Sequence, residues 1–290
     1  MYNAVVNPWS GEGKKRKLHA RVLAHFAALG QKIRVFTPEK KGQIGKLARE
    51  ITQRGEGDLV VVGGDGTLHA ALNGFTNFDR CALGLVPCGT GNDFAAFAGI
   101  PEEPERAVEL IVRGAPKYTE FMQLPQGVRG INAAGTGIDV EILRRCRKSK
   151  WLRGKLQYVI SLIISLIKFK NYELTARLNG HEVHYKTLIA CVGNGARIGG
   201  GIRMCPAAAL GDNLLDFVAV DNVKKSRIIP AFIKLMQGRI LEEKFSRFER
   251  CSHIEIFSDK PLTVQVDGEL YEGLPFVVDV VKDTLRMYRG

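Results

Sequence analysis

Apolar positions along the first 120 residues follow two alternating periods. Ala4, Val5 and Val6 form a short apolar run that stops at Asn7-Pro8. From Lys14 to Leu29, Leu18, Val22, Leu23, Phe26 and Leu29 recur on or near one helical face. Ile33 to Phe36 predicts the next strand, followed by a Pro-Gly loop and a helix around Ile44 to Gln53. Continuous apolar runs at Leu59 to Val62 and Leu83 to Val86 predict two more strands. Strands that are apolar throughout and alternate with helices imply a parallel sheet covered on both faces.

The second half has a different rhythm. Glu173 to Leu178 alternates, Asn179-Gly180 follows, and His181 to Tyr185 continues, which is the signature of a β-hairpin. Further strand-like runs stand at Thr187–Val192, Leu214–Val220, His253–Phe257, Leu262–Val266 and Phe276–Val281. These predict an antiparallel β domain with two helical insertions, Trp151 to Phe169 and Lys224 to Phe248. The boundary between the halves is expected near Phe121 to Pro125.

Composition adds limits. A chain of 290 residues with 45% hydrophobic content suits two buried cores. Lys and Arg number 42 against 30 Asp and Glu, a net charge of +12 that favours a polyanionic partner: nucleic acid, an anionic membrane or a phosphorylated small molecule. No aromatic-basic platform of a nucleic-acid module is present, so nucleic acid is not expected. The six cysteines have no paired spacing and read as reduced, mostly buried thiols. With no basic start and apolar run at Met1, a cytoplasmic protein is expected. Leu156 to Ile167 is apolar but shorter than the roughly 20 residues of a membrane span. It fits either a buried helix or one lying on a membrane.

The chemistry sits at the strand ends, where ligands bind in parallel sheets. Three polar, glycine-rich loops follow three of the predicted strands: Asn7-Pro8-Trp9-Ser10-Gly11, Gly63-Gly64-Asp65-Gly66-Thr67 and Gly89-Thr90-Gly91-Asn92-Asp93. Glycines let backbone amides approach a phosphate, and a helix opening at Thr67 adds its positive end. A carboxylate such as Asp65 or Asp93 suits a phosphate site when Mg²⁺ lies between the negative groups. The pattern is neither a Walker loop nor a dinucleotide fingerprint.

Asn7-Pro8-x-Ser10-Gly11, Gly63 to Leu68, Val86-Pro87-x-Gly89 to Ala95, Cys205-Pro206 through Asp212, and Asp267-Gly268-Glu269 occur in an order that resembles the soluble diacylglycerol-kinase-type lipid kinases. That superfamily includes sphingosine and ceramide kinases. The resemblance implies a phosphofructokinase- and NAD-kinase-like α/β domain over 1–122 and a β-sandwich lipid-acceptor domain over 123–290, with the last strand free to return to the first domain. It implies ATP bound by Asn7, Pro8, Trp9, Ser10, Gly11, Thr37, Gly63, Gly64, Asp65, Gly66, Thr67, Leu68, His69 and Thr90. It also implies a structural Mg²⁺ at Asp212 with the carbonyls of Ala209 and Leu214, and Glu269 as general base; from their place in the loops, Asp65 and then Asp93 are expected on the catalytic Mg²⁺.

Two positions depart from the family pattern. Asn213 replaces the usual Gly after the metal-site Asp, a turn that Asn tolerates, and Glu12 stands where a basic residue is common. The expected reaction is phosphorylation of a lipid hydroxyl, diacylglycerol first. The rivals are a kinase of a soluble acceptor such as NAD or a sugar phosphate, and a regulator that binds nucleotide or lipid without catalysis. The basic run Arg144 to Lys155 beside the apolar stretch suits peripheral association with a membrane, or a solvated loop beside a buried helix. A homodimer is left open.

Overall fold

The computed structural model describes residues 1–10, 16–148, 171–221 and 223–290. Gly11, the basic run from Ser149 onward and the helix expected over Trp151 to Phe169 lie outside the described residues. The chain forms two compact units, Met1–Phe121 with Val281–Gly290, and Met122–Val280. No described helix is long and apolar enough to cross a membrane.

The first unit runs β1 (Tyr2–Val6), α1 (Arg16–Ala28), β2 (Ile33–Phe36), α2 (Ile44–Arg54), β3 (Asp58–Gly63), α3 (Asp65–Gly74), β4 (Leu83–Pro87), α4 (Asp93–Phe97), α5 (Pro104–Arg113) and β5 (Lys117–Gln123). The strands lie in the order β4-β3-β1-β2, all parallel. β1 and β4 are buried throughout, and β3 from Leu59 onward, because helices pack over them as α1 with α5 and α2 with α3. Each helix turns its apolar stripe inward: Ala48 and Ile51 of α2, Ala107, Val108 and Ile111 of α5. β2 is the sheet edge, and its Val35 is correspondingly exposed.

The second unit continues through β6 (Arg129–Gly130), β7 (Ala133–Gly137), α6 (Ile138–Lys148), β8 (Tyr172–Leu178), β9 (His181–Gly193), β10 (Leu215–Asp221), α7 (Ile228–Met236), β11 (Ser246–Cys251), β12 (His253–Phe257), β13 (Thr263–Val266), β14 (Glu269–Glu272) and β15 (Phe276–Met287). It is antiparallel, in the order β14-β13-β7-β9-β8-β12-β15, with β10 on β9 and β11 on β10. β5 and β15 carry the chain from one unit to the other, and Met287 pairs in parallel with Leu83. The predicted hairpin at Asn179-Gly180 forms, with Leu178 opposite His181. The two strands expected over His181–Tyr185 and Thr187–Val192 are one strand, β9, which pairs first with β8 and then with β7 and β10. The helical insertion expected from Lys224 to Phe248 is also shorter. Ser246–Cys251 is an edge strand that pairs with β10, so the helix in that region is α7 alone with short 3-10 turns beside it.

Two apolar clusters divide this unit. One packs the sheet surfaces together around Leu174, Phe217, Ile254, Val266 and Phe276. The other lies between Ala133, Ile189, Cys191 and Val218 of the sheet and Ile138, Ile142, Phe232 and Leu235 of the helices. In it Cys191 Sγ and Cys205 Sγ stand 4.0 Å apart, a pairing their sequence spacing does not reveal. The neighbouring Cys191 thiol and burial push the Cys205 pKa up, which disfavours its thiolate.

The hairpin between β13 and β14 turns on Asp267 and Gly268, both at positive φ (50° and 88°), the geometry for which Asp-Gly is favoured. The Asp267 carboxylate is no solvated turn group. It accepts the amides of Ile131 at 2.9 Å, Asn132 at 2.9 Å and Ala133 at 3.1 Å. The hairpin is thereby clasped to the start of β7. Asp267→Ala strands three amides and is expected to cost about 3 kcal/mol in urea unfolding. Unchanged stability in that variant would show that the clasp contributes nothing.

Candidate active site

Three loops of the first unit meet at the carboxyl ends of β1, β3 and β4. They are tied at the backbone: the Asn7 amide donates to the Val62 carbonyl at 3.1 Å, and the Cys88 amide to the Gly63 carbonyl at 2.7 Å. Side chains repeat the tie. Asn7 Nδ2 donates to Thr67 Oγ1 at 2.8 Å, and Ser10 Oγ lies 3.4 Å from the same hydroxyl. Thr67 is buried in the first turn of α3, so its hydroxyl serves as the knot between the first and second loops.

The second and third loops touch through glycine. A Cβ placed on Gly64 would fall 2.6 Å from the Gly89 Cα, and one placed on Gly89 would fall 2.6 Å from the Gly64 Cα. Only backbone fits at that crossing, and only glycine on both sides permits it. Asn92, at φ 53°, closes the third loop by accepting the Gly89 amide at 2.8 Å and donating to the Gly89 carbonyl at 3.2 Å. Asp65 spans the crossing: its Oδ2 accepts the Asp93 amide at 3.4 Å.

The residues expected to hold ATP separate by position. Trp9 and Thr90 are exposed on the loops and Gly66 in the first turn of α3, and Gly64, Asp65 and Ser10 are half-buried. Asp93 is buried beside them. Leu68 is fully enclosed, and His69 is buried with Nε2 3.4 Å from Asn73 Nδ2, so both belong to the inner side of α3. Thr37 is exposed immediately after β2, and Pro8 is exposed after β1.

In the second unit Glu269 is exposed at the first position of β14, directly after the clasped turn. Asp212 is half-buried; its Oδ1 accepts the Leu214 amide at 3.0 Å and its Oδ2 lies 3.9 Å from Arg250 Nη1. Asn213 takes φ 60°, the left-handed turn expected of it. Ala209 is exposed nearby in sequence. Arg250 also reaches Asp216 at 3.3 Å and the Ala207 carbonyl at 2.8 Å. Asp216 is 2% exposed, and its Oδ2 has no hydrogen-bond partner. Burial raises its pKa to about 6 against the pull of Arg250. The donor chemistry fits a hard cation that keeps part of its water shell: oxygen ligands, one half-buried carboxylate and a second with an unsatisfied oxygen. It does not form an all-protein cage, since no group of three or more His, Cys, Asp or Glu side chains gathers among the described residues.

One feature of the second unit has no counterpart among the sequence expectations. A partly open cavity of about 70 Å³ lies between α6, α7 and the sheet. Ile138, Ile142, Leu188, Met204, Phe232 and Leu235 are among its walls, and Asp139 is the one ionisable residue there among the described residues. Asp139 is 4% exposed; its Oδ1 accepts the Val140 amide at 2.8 Å and its Oδ2 has no hydrogen-bond partner. Burial pushes its pKa up to about 7, with the Val140 amide and the nearby Gln265 pulling the other way. The apolar walls come from α6 and α7 and from strands far apart in the chain, so no local pattern announces the cavity.

With the geometry in place, known proteins provide the identification. Residues 2–124 match the diacylglycerol kinase catalytic domain, and residues 132–289 match the YegS C-terminal NAD kinase beta sandwich-like domain. A probable lipid kinase, YegS-like, from Stenotrophomonas maltophilia is 30% identical over 280 residues, covering 92% of this chain and 89% of its own. The chain belongs to the bacterial diacylglycerol-kinase-type lipid kinases. A diacylglycerol kinase from Mycobacterium tuberculosis is 27% identical across 99% of this chain and 94% of its own length. The crystal structure of a diacylglycerol kinase from Bacillus anthracis has a TM-score of 0.78 at 19% identity, covering 100% of this chain and 96% of that one. An NAD kinase from Archaeoglobus fulgidus in complex with ATP has a TM-score of 0.50 at 16% identity, over 99% and 92% of the two chains. At these identities the two structures share the fold alone. This lipid kinase is a phosphotransferase with an alcohol acceptor and ATP as phosphate donor.

The Asp139 carboxyl makes a prediction about pH. Its native pKa lies above the ordinary carboxylate value of 3.8, so the folded protein holds the proton more tightly than the unfolded chain. The stability from that difference is complete below about pH 4 and is lost as pH rises through about 7. In Asp139→Asn this part of the loss disappears, so the variant's melting temperature gains on the wild type between pH 4 and pH 8. A pH-independent difference between the two proteins would contradict the assignment.

Proposed function

We propose that this lipid kinase transfers the γ-phosphate of ATP to the hydroxyl of diacylglycerol, giving phosphatidic acid at a membrane surface. The observation that carries the choice of acceptor is the cavity behind α7: partly open, apolar on nearly every wall, with a buried carboxyl of raised pKa at its edge. Its lining suits an acyl chain and offers little to a nucleotide or a sugar phosphate.

In this reading the amides of the crossed glycine loops hold the ATP phosphates. Asp65, and Asp93 beside it, would hold a Mg²⁺ that arrives with ATP and would neutralise phosphate charge. Phosphoryl transfer needs chiefly positioning and neutralised charge, and the glycine crossing supplies the first by fixing both loops. Glu269 accepts the proton of the acceptor hydroxyl; that oxygen forms the new bond to the γ-phosphorus while the bond to the β,γ-bridging oxygen breaks and ADP leaves. A second, structural Mg²⁺ would be held by Asp212 and the carbonyls of Ala209 and Leu214, where its chemistry is to fix the turn at Asn213.

The test is transfer from radiolabelled ATP to a panel of diacylglycerol, sphingosine, other neutral lipids, NAD and sugar phosphates. Label is expected in phosphatidic acid. Asp65→Asn keeps an oxygen for the Asp93 amide, so the variant should melt like the wild type while turnover falls by about 10²–10⁴-fold; Glu269→Gln should fall similarly. Label confined to NAD or a sugar phosphate, or near-normal turnover in Asp65→Asn, would overturn the reading.

A further inference from the structure

α7 is apolar on both of its faces. Ile228, Ala231, Phe232 and Leu235 turn inward and line the cavity. Ile229, Ile233 and Met236 recur at the spacing of one helical face and are 73%, 51% and 43% exposed. No residue of this helix is buried. A surface helix normally shows water a polar face; this one offers water a continuous apolar stripe, so another apolar phase must cover it.

The charges around α7 identify that phase. The sequence places Lys224, Lys225 and Arg227 immediately before the helix, and Lys224 and Arg227 are exposed. The acidic residues that follow the helix are already engaged: Glu243 pairs with Lys234, and Glu242 with Arg239 at 2.8 Å. What remains around the stripe is cationic, which complements an anionic lipid surface. The inner face of the same helix is a wall of the apolar cavity. A chain leaving a bilayer that lies against α7 would therefore meet cavity wall on the other side of a single helix.

We infer that the outward face of α7 is the surface on which this lipid kinase lies against an anionic bilayer, with Ile229, Ile233 and Met236 entering the acyl boundary. Apolar helix faces rimmed by basic residues bind in this way. The inference rests on the lipid-kinase reading for the identity of the partner, and it places the contact on α7 in addition to any contact made by residues 149–170.

The experiment uses the full chain and two triple variants. In one, Ile229, Ile233 and Met236 are replaced by Gln; in the other, by Leu. Both leave the cavity-facing residues untouched and are checked for wild-type melting. Co-sedimentation is measured with vesicles of phosphatidylcholine alone and with about one-third phosphatidylglycerol. The wild type and the Leu variant should partition to the anionic vesicles, and the Gln variant should bind at least tenfold more weakly. Phosphorylation of a short-chain, water-dispersed diacylglycerol should persist in the Gln variant, while that of long-chain diacylglycerol in vesicles falls. Equal vesicle binding by all three proteins overturns the proposal. So does a stripe that the Gln variant shows to hold two copies of the chain together, by a change in sedimentation mass with vesicle binding unaltered. If no protein phosphorylates any acceptor, the diacylglycerol reading fails, and the vesicle measurements still decide the role of α7.

Discussion

The contact between Gly64 and Gly89 is the constraint on which the catalytic half depends. Two loops from neighbouring parallel strands cross with Cα against the place where the other's Cβ would be. A side chain at either position would force them apart. Their closeness lets Asp65, at the head of α3, reach the amide that opens α4, and lets Thr67 stay buried while it ties back Asn7 and Ser10. The result is one continuous wall of backbone at the sheet's edge, with a carboxylate set into it. Backbone amides are well suited to phosphate because they present partial positive charge and cannot titrate.

The second unit uses a carboxylate differently. Asp267 is consumed by three amides and fixes the turn that presents Glu269. Two acidic residues two positions apart in the chain thus differ: Asp267 is architectural, and Glu269 stands exposed at the head of β14. The opposite arrangement holds at Asp139 and Asp216, where burial outweighs the neighbouring donors and raises both pKa values. An acyl chain tolerates a neutral carboxyl far better than a charged one, which is why a raised value at the cavity wall agrees with a lipid occupant.

Much of the first unit was legible from the chain. β2 has the bounds that its apolar run predicts, and β1, β3 and β4 extend theirs by a residue or two at an end. Continuous apolar runs between glycines leave few alternatives to buried parallel strands. In the second unit, the hairpin at Asn179-Gly180 and the strand His253–Phe257 were equally plain. β7 was not, because Ala133-Ala134-Gly135-Thr136-Gly137 has no period and only Thr136 as a β-branched residue, and it is a strand through its neighbours β9 and β13. β11 was hidden for another reason: Arg247, Glu249 and Arg250 make it look like a solvated helix end, and only β10 gives it a partner. The loops of the candidate site were visible by their glycines. The crossing of Gly64 with Gly89, the clasp of Asp267 and the cavity behind α7 were not, since each joins residues far apart in the chain.

The central claim is that the glycine crossing shapes the phosphate site, and ATP binding to Gly64→Ala tests it most directly. The added methyl lies against backbone, which has no flexible end to yield. Calorimetric titration of Mg·ATP should show affinity reduced by at least about tenfold, roughly 1.4 kcal/mol, while far-ultraviolet circular dichroism matches the wild type. Wild-type affinity for ATP in Gly64→Ala would contradict the account.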